Sequence, residues 1–324
     1  MTADKPILCV QDLKTHFYTS RGVVKAVDGV SFSIGKGKVL GLVGETGCGK
    51  SVTALSIMRL IESPGRIVAG NILLDGIDLL SVTSAEMRNI RGNDVSLIFQ
   101  QPRAALNPVY NVGYQIVEAI RAHRAISKSD ANGEAEELLR KLELPEPAEM
   151  MSRYPFELSG GMAQRIVIAI AMASKPKLLI ADEPTSALDV TVQAQILNLI
   201  KELIRETGAS VLSITHDLGV AAELCDEIAV LYAGKIVEIA PKELFFKEPR
   251  HPYTEALLKA IPRRKRYTEL YQIEGEVPDI MNLPKGCSFH PRCAHKMDIC
   301  KEVNPELKSL SPASKVSCHL YGED

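Results

Sequence analysis

The chain has no long hydrophobic run. Its longest fully apolar stretch, Ile166–Ala173, falls far short of the ~20 apolar residues that a membrane-spanning helix needs. No basic start followed by an apolar segment opens the chain, so no secretory signal is expected. Neither sign of charge prevails: 38 Lys and Arg face 40 Asp and Glu, a net charge of −2. That balance gives no whole-protein reason to bind nucleic acid, and none is expected as a partner. C-x2-C pairs, common in structural zinc sites, are missing as well. The rest is ordinary for a globular chain, 46% hydrophobic and 24% charged over 324 residues. That length can bury a sizeable core and suggests about two domains. The expected location is the cytosol, or the cytoplasmic side of a membrane where partners hold the chain peripherally.

Against these absences one stretch stands out. Gly44-Glu45-Thr46-Gly47-Cys48-Gly49-Lys50-Ser51 fits Gly-x-x-x-x-Gly-Lys-Ser, the phosphate-binding loop of nucleoside triphosphatases. Its glycines let successive backbone N–H groups turn inward as an anion-binding nest. The following helix points its positive end at the same phosphates. Lys50 then reaches the β- and γ-phosphates, and the Ser51 hydroxyl holds Mg²⁺. The context agrees, with an apolar strand at Val39–Val43 before the loop and a helix expected over Val52–Ile61 after it. Val52 is counted with the nucleotide site.

Short strands are expected at Ile7–Val10 and Val30–Ile34, the latter alternating in the manner of a half-buried strand. Phe17 and Tyr18 precede a polar turn at Ser20-Arg21-Gly22 and read by themselves as edge-strand packing. Val95–Phe99 is a further strand that runs into Gln100. From there to about residue 156 helices and prolines take over, a helical insertion in an α/β core. Sheet texture returns at Leu178–Ala181, followed by a helix with Val192, Ile196, Leu199, Ile200, Leu203 and Ile204 on one face. Ser210–Thr215 is a strand ending at His216, and Ile228–Tyr232 with Lys235–Ile239 forms a hairpin. Strands alternating with helices imply a largely parallel sheet.

Two further stretches carry chemistry. Asp182-Glu183 closes a buried strand, where a P-loop enzyme needs one carboxylate for Mg²⁺ and another to orient the attacking water. A helix N-cap is the competing reading of the pair. Leu158-Ser159-Gly160-Gly161-Met162-Ala163-Gln164-Arg165 opens the apolar helix and makes a second anion-binding helix start, or simply a capped one.

In order along the chain, Gly44–Ser51, Gln100, Leu158–Arg165, Leu178–Glu183, Ser186-Ala187-Leu188-Asp189 and His216 resemble six elements of the ABC-transporter ATPases: Walker A, Q-loop, signature, Walker B, D-loop and switch histidine. The resemblance implies two chains enclosing two ATP molecules, with Ser159, Gly160 and Gly161 of one chain facing the γ-phosphate bound by the other. Asp189 would belong to that nucleotide-bearing interface. Glu183 would be the general base, His216 would contact the γ-phosphate, and Gln100 with Ser51 and Asp182 would serve Mg²⁺. Phe17 or Tyr18 would stack on adenine. The fold implied is an α/β P-loop NTPase over residues 1–240. It has a mostly parallel sheet, an N-terminal antiparallel β subdomain and a helical subdomain inserted at about 101–165.

The tail, 241–324, is similar to the C-terminal extension of dipeptide and oligopeptide importer ATPases. The similarity lies in His251–Leu258 with Ile261-Pro262, in Leu283–Cys293, and in Asn107-Pro108 and Tyr154-Pro155. The sequence departs from those relatives at Phe156 and Lys38. Cys287, Cys293, Cys300 and Cys318 are spaced C-x5-C-x6-C-x17-C, which suggests a metal-binding extension more than disulfides. Four thiolates suit zinc or an iron–sulfur cluster. The resemblance favours [4Fe–4S], with His290, His295 and His319 as reserve ligands for zinc. Losing the metal is expected to loosen the tail while leaving the phosphate loop able to bind ATP. Cys9 and Cys225 are expected in the core, and Arg263–Arg266 in a solvated loop.

The implied function is ATP hydrolysis that drives import of di- or oligopeptides. The implied partners are a second ATPase subunit, identical or related, two transmembrane permease subunits, and indirectly an extracytoplasmic binding protein. A different solute, such as nickel or an antimicrobial peptide, is the alternative within that class. A soluble ABC ATPase of DNA repair or translation would carry a coiled-coil insertion or a tandem second unit. A GTPase or kinase would leave Leu158–Arg165 unexplained.

Overall fold

The computed structural model describes residues 5–186, 188–261 and 272–322. The basic run 263–266 lies outside them, as does Ala187. The chain folds into two compact units. Among the described residues, those within 8–33, 39–80 and 214–322 form what we call the terminal unit, and those within 5–7, 34–38 and 81–213 the middle unit.

The terminal unit begins with Leu8–Thr19 (β1) and Gly22–Ile34 (β2), both longer than their apolar centres suggested. Val39–Val43 (β3) follows, with all five residues buried. Gly49 then opens Lys50–Ile57 (α1). This helix starts earlier and stops sooner than expected: Met58 caps it, and Arg59 turns back with φ 50°. Gly65–Leu74 (β4) and Ile77–Asp78 (β5) complete a four-stranded sheet in the order β2-β1-β4-β5. The pairings of β4 with β1 and β5 are antiparallel, giving the expected β subdomain.

The middle unit runs through Ser84–Ile90 (α2), Val95–Ile98 (β6) and Pro102–Ala105 (α3), then Val112–Arg121 (α4) and Lys128–Lys141 (α5). Pro147–Met150 (α6), Gly160–Met172 (α7), Leu178–Asp182 (β7) and Val190–Thr207 (α8) follow. β6 and β7 are parallel, pairing Val95 with Leu178 and Ile98 with Ala181. α7 is the hub, packing on α3, α4, α5 and β6. Its residues Ile166, Val167, Ile168 and Ala169 are buried, which explains why that stretch is the most apolar of the chain.

Ser210–Thr215 (β8) carries the chain back to the terminal unit. There Leu218–Leu224 (α9) precedes the hairpin Glu227–Tyr232 (β9) and Lys235–Pro241 (β10). β9 runs parallel to β3, placing Val43 beside Val230. Lys242–Lys247 (α10), Pro252–Lys259 (α11) and Ile299–Glu302 (α12) lead to Lys308–Ser311 (β11) and Ser314–Val316 (β12). β12 adds antiparallel to β10, pairing Glu238 with Val316. The cysteine tail thus returns to the sheet that carries the phosphate loop. Cys225 is buried as expected, whereas Cys9 is only half-buried: its position on β1 alternates with the inward-facing Leu8 and Val10.

Candidate active site

In the terminal unit the loop between β3 and α1 has the geometry of an anion cradle. Gly49 has φ 111°, and a Cβ there would overlap the carbonyl oxygen of Ala26. Gly47 has φ 82° and open space around it. No side chain caps α1 and no acidic residue stands in its first turn, so its N–H groups and positive end stay available to an anion. Lys50 is buried, and its Nζ donates to the carbonyl oxygens of Gly44 (2.8 Å) and Glu45 (3.0 Å), which holds the ammonium over the loop. Burial pushes the Cys48 thiol up, against the pull of Lys50. Ser51 is exposed at the helix start with Val52 beside it.

His216 is exposed just past β8, and with Gly44, Glu45 and Thr46 it lines one open hollow of about 240 Å³. The two aromatic candidates differ. On β1, Thr15 and Phe17 share a face, and the Thr15 Oγ1 lies 2.7 Å from Ser56 Oγ of α1. Phe17 packs over Gly65, where a Cβ would meet its ring at 2.6 Å. Tyr18 lies on the other face, exposed, with the Arg66 guanidinium 5.7 Å from its ring centroid.

Glu45 does something the loop motif does not announce. Its carboxylate takes a forked pair of bonds from Arg292, Nη1 to Oε2 at 2.7 Å and Nη2 to Oε1 at 3.1 Å. Its N–H donates to Tyr253 Oη at 3.0 Å. Burial alone would pull Arg292 down, but its bonds to Glu45 and Tyr232 hold it above the ordinary guanidinium value. Neither Tyr253 nor Arg292 carries a motif. The only sequence signal was that each lies in a tail stretch resembling the peptide importers.

In the middle unit, Asp182 ends β7 buried and Glu183 follows it with φ 48°, an uncommon conformation for a non-glycine residue. Gln100, just past β6, donates from Nε2 to Glu183 Oε2 at 2.8 Å, so the expected general base and Q-loop residue stand together. The competing N-cap role belongs to Asp189: its Oδ1 accepts from the N–H groups of Thr191 (3.1 Å) and Val192 (3.0 Å) at the start of α8. Ser159 caps α7, its Oγ accepting from the Met162 N–H at 3.3 Å. Gly160 and Gly161 form the first turn of that helix. A Cβ at Gly160 would meet Leu188 at an ordinary 3.7 Å, whereas one at Gly161 would press on Val192 at 3.0 Å.

The sequence matches the ABC transporter family over residues 27–186 and the oligopeptide/dipeptide transporter C-terminal region over residues 237–300. It is 48% identical to the oligopeptide transport ATP-binding protein AppD of Bacillus subtilis over 320 residues, 98% of each chain. It is 45% identical to the dipeptide transport ATP-binding protein DppD of Escherichia coli over 319 residues, again 98% of each. The chain belongs to the ABC transporter ATP-binding proteins. Among solved structures it is similar to the ATP-binding cassette MJ0796 in a dimeric post-hydrolysis state bound to ADP and Pi. That match has a TM-score of 0.66 and 27% identity, covering 72% of this chain and 98% of that one. This ABC ATPase therefore binds and hydrolyses ATP.

In the tail of this ABC ATPase, Cys287, Cys293, Cys300 and Cys318 line one small hollow together with His251 and Phe289. Burial raises the thiols of Cys287 and Cys293, and pushes that of Cys318 up to about 11. Among the described residues no three His, Cys, Asp or Glu side chains converge closely enough to hold one metal ion. No described helix is long and apolar enough to cross a membrane.

Proposed function

We propose that this chain is the ATP-hydrolysing subunit of a di- or oligopeptide importer, bound peripherally at the cytoplasmic face of the membrane to two permease subunits. One observation carries the reading: the match extends past the ATPase core into the oligopeptide/dipeptide transporter C-terminal region, with peptide-transport relatives aligned over 98% of the chain. The ATPase domain would run to about residue 240, with the extension following it.

Two such chains would close head to tail over two ATP molecules. The loop backbone and Lys50 hold the phosphates, and Phe17, which shares the face of β1 that reaches α1, stacks on the base. Ser51, Gln100 and Asp182 offer the hard oxygen donors that Mg²⁺ takes, and the ion would neutralise charge developing on the phosphates. Glu183 takes the proton of the attacking water while the Gln100 amide orients its carboxylate. His216 contacts the γ-phosphate from the same side as Gly44–Thr46. Ser159, Gly160 and Gly161 of the second subunit would present a helix start, with the serine hydroxyl that caps it, to that phosphate. Hydrolysis and release of phosphate then reopen the pair, and the permeases follow. An extracytoplasmic binding protein would deliver the peptide.

The four-cysteine tail fits a [4Fe–4S] cluster better than zinc. Zinc needs four ligands meeting at one ion. A cluster offers a separate iron to each thiolate, so its ligands stand apart around a shared volume. The cluster would staple a segment with few large apolar residues. Uptake of labelled di- and tripeptides by a strain lacking this chain, complemented with wild type or Glu183→Gln, tests the transport reading. Peptide uptake that is independent of the wild-type chain, alongside a defect in nickel uptake, would move the assignment to the metal importers.

A further inference from the structure

Glu45 places a carboxylate within the loop proposed to bind a tetra-anion. Its charge opposes that of the phosphates, and the structure shows how the charge is handled. Arg292 is 4% exposed at its side chain, and its fork covers both carboxylate oxygens of Glu45. Two other residues hold the guanidinium. Nε donates to the Glu274 carbonyl oxygen at 3.2 Å, Nη1 reaches Tyr232 Oη at 3.4 Å, and the group lies 6.0 Å from the Tyr232 ring centroid. Tyr232 packs on Tyr253 at 4.5 Å and on Phe289 at 5.3 Å, and Tyr253 accepts the Glu45 N–H. Phe289 precedes and Arg292 ends one short 3₁₀ turn, His290–Arg292, in the C-terminal extension.

We propose that Arg292 is a positioning residue for ATP binding: it neutralises Glu45 and anchors the phosphate loop to the C-terminal extension. The extension thereby sets part of the nucleotide affinity. Arg serves better than Lys, because its planar fork satisfies both oxygens while staying fixed between Glu274 and Tyr232. The proposal rests on Gly44–Ser51 holding the triphosphate, and Lys50→Ala measured alongside reports on that reading by itself.

The test is ATP affinity of the full-length chain by titration with a fluorescent ATP analogue. Arg292→Ala is expected to weaken binding by about tenfold to a hundredfold, the effect of one uncompensated charge a few ångströms from the phosphates. Two further results separate this from general damage. Adding Glu45→Gln to Arg292→Ala should restore most of the lost affinity, because it removes the charge that Arg292 covers. The deficit of Arg292→Ala should also shrink as ionic strength rises. Arg292→Lys should fall between wild type and Arg292→Ala, and it carries the same rescue test if the alanine variant does not fold. Wild-type affinity in Arg292→Ala, or a deficit that Glu45→Gln leaves untouched, overturns the proposal. Loss of binding in Lys50→Ala with wild-type affinity in Arg292→Ala would reject it while leaving the loop reading intact.

Discussion

Gly49→Ala against Gly47→Ala is a comparison the structure quantifies. Both glycines have positive φ, 111° and 82°. A non-glycine residue in left-handed backbone costs about 1–2 kcal/mol, and both variants bear that. Only at Gly49 is there also a collision, because the new methyl overlaps the backbone carbonyl of Ala26 and lies 3.4 Å from the Leu231 side chain. A carbonyl in β2 cannot swing aside as a flexible side chain can, so relief must come from moving the loop. Forced overpacking of this kind costs about 1–3 kcal/mol more. The sum for Gly49→Ala is roughly 2–5 kcal/mol, against about 1–2 for Gly47→Ala. Because a loop relaxes locally more easily than a sheet, most of this should appear as lost affinity. At about 1.4 kcal/mol per tenfold, Gly49→Ala should weaken ATP binding at least about thirtyfold and Gly47→Ala about five- to thirtyfold. Calorimetric titration of the two variants, with melting curves in the absence of nucleotide, makes the measurement. Equal affinity in the two variants, or a Gly49→Ala protein within threefold of wild type, would refute the reasoning.

Other expectations follow from the same geometry. Glu183→Gln should lower kcat by about 10²–10⁴-fold, the usual share of a general base, while ATP stays bound in a closed dimer visible by size exclusion. Normal turnover would overturn the assignment of the base. Phe17→Ala should weaken ATP binding by the ~1–3 kcal/mol of one stacked base, with little change for Tyr18→Ala, and a reversal of that order would place the base on the other face of β1. Cys293→Ser, purified anaerobically, should lose iron and its visible absorbance and become protease-sensitive in the tail. It should still bind ATP, though less tightly. Unchanged metal content and protease resistance would reject the cluster.

The strand-loop-helix order around Gly44–Ser51 was legible because three local signals agreed: a five-residue apolar strand, a glycine motif and a helical run. The signature helix was legible for a different reason. It is the hub of the middle unit, and burial on several sides leaves an unmistakable apolar stretch. β4 escapes a periodicity reading because its exposed positions mix apolar Val68 and Ala69 with polar Arg66 and Asn71 and Gly70 interrupts it, so no clean alternation survives. The start of α1 was placed two residues late because Lys50 and Ser51 read as loop chemistry, although they form the first helical turn. Asp189 was assigned only to the nucleotide-bearing interface, while its carboxylate caps α8, and local sequence cannot rank the two uses of one carboxylate. Arg292 was invisible for the most general reason: its partner lies 247 residues away, and no periodicity or spacing encodes a contact that only the tertiary fold creates. The same contact shows that tail and phosphate loop are not independent.

The last strands of the tail also act as a cover. β10 is buried through Ile236, Val237, Ile239 and Ala240, and its outer hydrogen-bonding edge is closed by β12. β11, beyond it, is four exposed residues including Lys308, the kind of short charged rim that resists further strand addition. These covering strands come after Cys300 and just before Cys318 in the chain. A tail that loses its order would therefore bare an apolar strand edge, and damage to the thiol segment should emerge as self-association of the whole protein.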